Sequence, residues 1–232
     1  MKAQRLRFRF RLTAEAVELR QRDIVSAWEN AAKAAGLLLS YSTGKRPAPQ
    51  ISLAAPLPQG VTSDCEVADV YLESPVEPAD ALKRIASMMQ PGIEPTSAED
   101  IGLAAQALQA SLRWAEYEVD VSAAGLSEDD VRSKIECLLS QNTLPAEYKR
   151  EAKTRSYDLR PLILELQLVE SVDDSFRLRM ILRAEQENTA RADQVALALG
   201  LPGPLRIHRR RLGFVTVAPV VAAYRLAGEH ED

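Results

Sequence analysis

Apolar and charged residues alternate strictly over Arg5-Leu-Arg-Phe-Arg-Phe-Arg-Leu12. An extended chain there sends Leu6, Phe8, Phe10 and Leu12 to one face, and Arg5, Arg7, Arg9 and Arg11 to the other. A second alternation runs from Phe176 to Arg183, with Phe176, Leu178, Met180 and Leu182 opposite Arg177, Arg179 and Arg183. Between these strands the period changes. Ile24, Trp28, Ala31, Ala32 and Ala35 fall at helical spacing before Gly36, which predicts a helix from about Gln21 to Ala35. Leu37 to Ser42, Ile51 to Leu53 and Glu66 to Ser74 read as extended. Pro78 opens a second helix carrying Leu82, Ile85 and Met89, which stops at Pro91-Gly92 before a strand from Ile93 to Ile101.

The order βαββαβ then repeats. A strand is predicted over Leu108 to Val121, followed by the Ser127-Glu-Asp-Asp130 capping box and a helix with Val131, Ile135, Leu138 and Leu139 on one face. Extended segments follow at Glu147 to Ala152, Tyr157 to Val169 and Phe176 to Gln186. A helix from Ala190 to Leu199 and a strand from Arg206 to Phe214 complete the second set. The expected fold is α+β: two tandem ferredoxin-like modules with antiparallel sheets, spanning residues 1–103 and 104–216, with a tail at 217–232. In each module both helices cover the Leu/Phe face, and the arginines occupy the uncovered one. A single mixed sheet of eight or more strands uses the same elements and ranks second.

Composition narrows the function classes. The 232 residues are 46% apolar and 27% charged, a globular composition, and the formal charge of −4 argues against a protein that coats nucleic acid through overall charge. Any polyanion site must therefore be a local concentration of arginine. The amino-terminal segment alternates where a signal peptide or membrane span would run apolar, so the expected address is cytoplasmic, with no membrane partner. Cys65 and Cys137 lack a partner motif and read as reduced packing thiols.

Catalytic and metal constellations are sparse. Two distant cysteines do not supply the three or four thiolates of an iron–sulfur cluster. With only His208 and His230, a histidine metal site or nucleophile relay is not expected, nor is any cofactor. Ser42-Thr-Gly-Lys45 lacks the remaining residues of a phosphate-binding loop and leaves a basic tip at Lys45 and Arg46. The acids Asp129-Asp130 and Asp173-Asp174 fall where a helix start and a turn favour them.

The charge balance of the two arginine faces depends on cross-strand neighbours. The first row is expected to face Asp69, Tyr71 and Glu73, with Glu94 and Glu99 on the last strand, which leaves an excess of arginine. The second row is expected to meet Glu116, Glu118, Asp120 and Glu165, which balances it. RNA is the natural ligand class for a free basic sheet face, through guanidinium–phosphate pairing without base stacking. The candidate phosphate-binding residues are Arg5, Arg7, Arg9, Arg11, Lys45, Arg46, Arg177, Arg179 and Arg209.

Arg7-Phe-Arg-Phe10, Asp23, Trp28-Glu29, Ala35-Gly-Leu37, Tyr41-Ser42, Gly44, Pro47, Pro49, Pro56-Leu-Pro58, Gly60-Val61 and Asp69 form a specific combination. With Asp158-Leu-Arg-Pro-Leu162, Arg179-Met-Ile-Leu-Arg183 and Ile207-His-Arg209, the chain resembles the radical-SAM-linked bacterial family of unknown function, here as a stand-alone form. It departs from that pattern at Gln21 and Ala48, where the family usually has histidine, and around Thr189-Ala-Arg-Ala192. The resemblance implies association with a radical SAM enzyme in RNA modification or maturation; together with the basic strand face and the sparse catalytic residues, the expected role is a non-catalytic accessory protein that presents structured RNA. A protein-interaction subunit without nucleic acid is the alternative, and an independent enzyme ranks third.

Overall fold

A computed structural model of the protein describes residues 2–150, 153–172 and 174–215. The tail expected at 217–232 and Asp173 of the expected turn lie outside the described residues. The first half contains β1 (Gln4–Leu12), α1 (Gln21–Ala34), β2 (Ile51–Leu53), β3 (Val61–Leu72), α2 (Pro78–Met88) and β4 (Ile93–Asp100). The second contains α3 (Leu108–Ser111), β5 (Leu112–Ser122), α4 (Glu128–Ser140), β6 (Pro145–Arg150), β7 (Lys153–Asp158), β8 (Ile163–Val172), β9 (Ser175–Arg183), α5 (Ala192–Ala198) and β10 (Pro204–Phe214).

Local chemistry accounts for the element ends. The Ser127 hydroxyl accepts the Asp130 N–H at 3.2 Å, and the Asp130 carboxylate accepts the Ser127 N–H at 2.9 Å, closing the capping box of α4. The Ser127 hydroxyl also donates to the Asp130 carboxylate at 2.7 Å, and this bond, with that from the Ser127 N–H, holds the Asp130 carboxyl below its ordinary pKa. Gly92 enters β4 at φ +85, and a Cβ there would come within 2.7 Å of the Ala16 nitrogen, so the turn requires glycine.

The expected pair of separate sheets is one continuous, mostly antiparallel sheet of eight strands, in the order β4-β1-β3-β10-β5-β9-β8 with β2 added beside β3. Within each half the first strand sits between the third and the last: β1 between β3 and β4, β5 between β9 and β10. The halves join because β2 is short. It pairs only with Ala68 to Val70 of β3, which leaves the edge at Val61 to Ser63 open for Ile207 to Arg209 of β10. This β3–β10 pairing is the sheet's single parallel one among the described residues.

Several expected boundaries shift. Leu108 to Ser111 is a helical turn, not the start of a strand, and Leu37 to Ser42 makes only isolated bridges, Leu39 to Leu72 and Tyr41 to Pro49. The segment expected as one strand from Tyr157 is broken by a 3-10 turn at Arg160–Leu162, where Pro161 removes a ladder donor. Its first part turns back to form the separate β6–β7 hairpin.

The apolar faces bury as alternation predicts. Leu6, Phe8, Phe10 and Leu12 meet Trp28, Ala31, Ala81 and Ile85 of α1 and α2, with the Trp28 ring 5.1 Å from Phe8 and 5.2 Å from Phe10. Phe176, Leu178, Met180 and Leu182 meet Val131, Ile135 and Leu138 of α4 and Val195 of α5. Ile207 packs against both clusters, so the two cores meet beneath the β3–β10 join.

Candidate functional site

Alternation along β1 places its arginines on the face away from the helices, but their environments differ sharply along nine residues. Arg5 is 2% exposed. Its Nε and Nη2 donate to Asp69 at 3.1 and 2.6 Å, and the linker between the halves crosses above it to accept two more bonds, at Ala105 O (2.6 Å) and Gln106 O (2.9 Å). Its expected phosphate contact is therefore corrected: the linker seals it from solvent. Arg7 shares the fully buried Asp69 carboxylate through Nε at 2.8 Å and Nη2 at 3.0 Å and keeps a partly exposed edge. Arg9 and Arg11 are exposed, and their guanidiniums make no ion pair with the described residues. Arg11 stands opposite Glu94 and Arg7 opposite Glu99 on β4, so nearby acids temper the field without quenching either guanidinium.

Lys45 and Arg46 are exposed on the loop between Tyr41 and Pro49. That loop adjoins the Tyr71 end of β3, where Ser40 N–H reaches Tyr71 O at 2.8 Å. Arg5 pairs with Tyr71 and Arg9 with Val67, so Arg9 and Arg11 lie toward the opposite end of the strand, roughly 13 Å or more away at strand rise. The structure thus does not bring the loop and the outer arginines into one cluster.

The second row is a lattice of ion pairs. Arg177 binds Asp120 and Glu170, both at 2.8 Å, and Arg179 binds Glu116 and Glu165, both at 2.6 Å. From β10, Arg206 reaches the other Asp120 oxygen at 2.8 Å, and Arg210 reaches Asp64 at 2.8 Å. Partial burial would raise the Asp120 carboxyl, but hydrogen bonds from Arg177 and Arg206 outweigh it and hold the group below its ordinary pKa. The same contacts hold Arg177 above its usual range, as Glu116 does Arg179. The expectation that Arg177 and Arg179 contact phosphate meets two side chains already committed to carboxylates.

Arg209 departs furthest from expectation. It lies on the helix side of the sheet, fully buried, with Nη1 donating to Glu66 at 2.9 Å, Nη2 to Pro56 O at 2.9 Å and Nε to the Tyr117 hydroxyl at 3.2 Å. Burial alone would lower its pKa; the attraction of Glu66 and Tyr117 wins and raises it, so it remains charged at every accessible pH. The Ser63 hydroxyl donates to the same Glu66 oxygen at 2.6 Å. This cluster ties β3 of the first half to β10 and β5 of the second.

Above that cluster a cavity of about 780 Å³ opens between the halves. Its walls come from Leu53 to Pro56 at and beyond the end of β2, Tyr117 of β5, Thr189 to Asp193 leading into the first turn of α5, and the start of β10. No composition signal points here. Pro56, Pro58, Gly60, Val61, Ile207 and Arg209 all belong to the residues that carry the family resemblance, and all line the cavity. Across the sheet, Thr62 Oγ1 meets His208 Nδ1 at 2.7 Å while His208 Nε2 meets Asp64 at 3.1 Å. This relay-like chain stands apart from the cavity, whose lining includes none of the three. Asp64 is also engaged by Arg210. Among the described residues no group of His, Cys, Asp and Glu is placed to hold a metal ion, and no helix is long and apolar enough to cross a membrane.

The fold defines a mixed α+β protein with one large, mostly antiparallel sheet, with α1, α2, α4 and α5 on one face and the short α3 packing Leu108 against Val67 on the other. The chain belongs to an uncharacterised protein family conserved in bacteria, DUF2344, whose pattern it matches over residues 5–192. No curated protein matches it. Among solved structures it is similar to a chain of a Cbf5-Nop10-Gar1 complex (14% identity, TM-score 0.48, covering 88% of this chain and 49% of that one). It is also similar to a chain of an archaeal box H/ACA sRNP Nop10-Cbf5 complex (12%, TM-score 0.45, 90% and 48%). An unknown protein from Galdieria sulphuraria matches more loosely (13%, TM-score 0.26, 92% and 99%). The chain spans about half the length of the first two. Likeness at these scores carries no functional argument.

Proposed function

We propose that the protein is a non-catalytic binding component that holds a polyanion, structured RNA, on the open face of its first half. One observation carries this reading: Arg9 and Arg11 are exposed with no ion-pair partner among the described residues, beside an Arg7 that shares one carboxylate with Arg5. Guanidiniums so displayed pair with phosphate oxygens and release counterions. Phosphate contact is assigned first to Arg7, Arg9 and Arg11, and second to Lys45 and Arg46 at the far end of the strand. Each half is read as a ferredoxin-like unit, supported by the placement of its first strand between its third and last, with a unit boundary in the linker near residue 103. A radical SAM enzyme as partner rests on the sequence resemblance alone, and a cytoplasmic setting on the alternating amino-terminal segment and the unpaired cysteines.

Titrating a labelled RNA hairpin into the full chain at low and moderate salt tests the reading. Binding that weakens with salt, and falls about tenfold or more in an Arg9→Glu/Arg11→Glu variant, is expected. Salt-indifferent binding, or none, refutes it.

A second reading, docking on protein alone, is favoured by the edge strand β8, which exposes Leu164 and Val169. A pull-down from the native host that keeps its protein partners and carries no nucleic acid before nuclease treatment selects it.

A further inference from the structure

From the cavity between the two halves we infer a second binding site, for a small organic anion with an apolar body, independent of the sheet-face reading. The volume of about 780 Å³ lies within the range of ligand sites, and the composition matches one: alanine, proline and aliphatic walls with a few convergent polar groups. Ala54, Ala55, Ala190 and Ala192 keep the walls short and the space open.

The polar groups favour negative charge. Tyr117 is 6% exposed, and its hydroxyl oxygen accepts from Arg209 Nε at 3.2 Å. Among the described residues its own proton meets no acceptor, so it is available to donate into the cavity. Arg191 places Nε and Nη2 on Asp193 at 3.0 and 2.8 Å, which leaves Nη1 without a partner among the described residues, and it lines the same cavity as Tyr117. The charged residues lining the cavity are Arg191, Arg206, Arg209 and Asp193, and the single acid is taken by Arg191. A cation entering here would find no free carboxylate.

The buried Arg209–Glu66 pair points the same way. Removing two charges from water is expensive, and a well-packed apolar pair at such a position is often equally stabilising. A charged pair set beneath a cavity, with the arginine handing one bond to a phenol that faces the space, orients that phenol as a donor. Arg209 is thus a positioning residue. Tyr117 and Arg191 touch the ligand.

The test uses two dyes that share an aromatic body, 8-anilinonaphthalene-1-sulfonate and the neutral N-phenyl-1-naphthylamine, titrated into the full chain. The sulfonate should bind saturably at one site per chain and at least about tenfold more tightly than the neutral dye, as expected when charged hydrogen bonds separate the two. Tyr117→Phe keeps the ring and should weaken the sulfonate about three- to tenfold without changing the neutral dye, and Arg191→Gln should do likewise. Arg9→Glu/Arg11→Glu should leave both dyes unaffected, which separates this site from the sheet face. Far-ultraviolet circular dichroism and a cooperative urea transition like those of wild type certify that each variant is folded. Equal affinity for the two dyes, sulfonate binding unaltered in both cavity variants, or no saturable binding would overturn the inference.

Discussion

In the first half, Arg5 and Arg7 share one buried carboxylate while Arg9 and Arg11 stand in solvent; in the second, Arg177 and Arg179 each hold two acids and Arg206 and Arg210 extend the network. Both rows come from the same alternation of arginine with large apolar residues. The neighbouring strand makes the difference. On β3 the positions that share the first row's face are Val67, Asp69 and Tyr71, so one acid serves two arginines. On β5 the corresponding positions are Glu116, Glu118 and Asp120, an acid at every step. Alternation decides which face a side chain takes; the partner strand decides whether its charge is spent internally. An arginine row alone is therefore no evidence of a nucleic-acid surface.

Burial also separates the rows, and stability should reveal it. Asp69→Asn leaves the sealed Arg5 guanidinium without its counter-charge and is expected to cost about 3–5 kcal/mol in urea unfolding. Asp120→Asn is expected to cost only about 1 kcal/mol, because Asp120 is partly solvated and Arg177 retains Glu170. Equal costs would erase the distinction between a sealed anchor and a surface lattice.

Acid should loosen the second face. Asp120 has a depressed pKa in the folded chain, so its contribution is fully present above the unfolded carboxyl's value and is lost as pH falls through the lower folded value. Unfolding free energy should decline as pH drops below about 4, and Asp120→Asn should show a shallower decline by about 1 kcal/mol or less. An unchanged pH profile in that variant would show that the ion pair contributes nothing.

The smallest effect concerns the junction between the faces. Burial, reinforced by the negative Glu66, pushes the Cys65 thiol up to about 12, whereas Cys137 is exposed. Iodoacetamide at pH 8 should therefore add one group per folded chain, at Cys137, since the thiolate is the nucleophile. Rapid double labelling would mean that the β3–β10 join opens.

Much of this architecture was legible in local pattern. The capping box at Ser127, the helix carrying Trp28 and the inward turn of Phe8 and Phe10 follow from spacing, and the pairing of Arg177 and Arg179 with Asp120, Glu116 and Glu165 follows from strand order. What escaped was long-range. The pattern ends the second strand at Leu53, as observed, but nothing local says that this frees the edge where β10 docks, so one sheet was expected as two. Nor does composition show that the linker at Ala105 and Gln106 folds back over Arg5. Arg209 was misplaced for the same reason: its face depends on the β10 register against Tyr117, and the cavity above it exists only once the halves join.

The claim that the first face meets phosphate while the second is internal is tested most directly by the salt dependence of RNA binding. The slope of log affinity against log salt should fall by about two in Arg9→Gln/Arg11→Gln, about one for each phosphate left unneutralised, and should be unchanged in Arg177→Gln/Arg179→Gln. An unchanged slope in the first variant, or an equal fall in the second, would contradict the account.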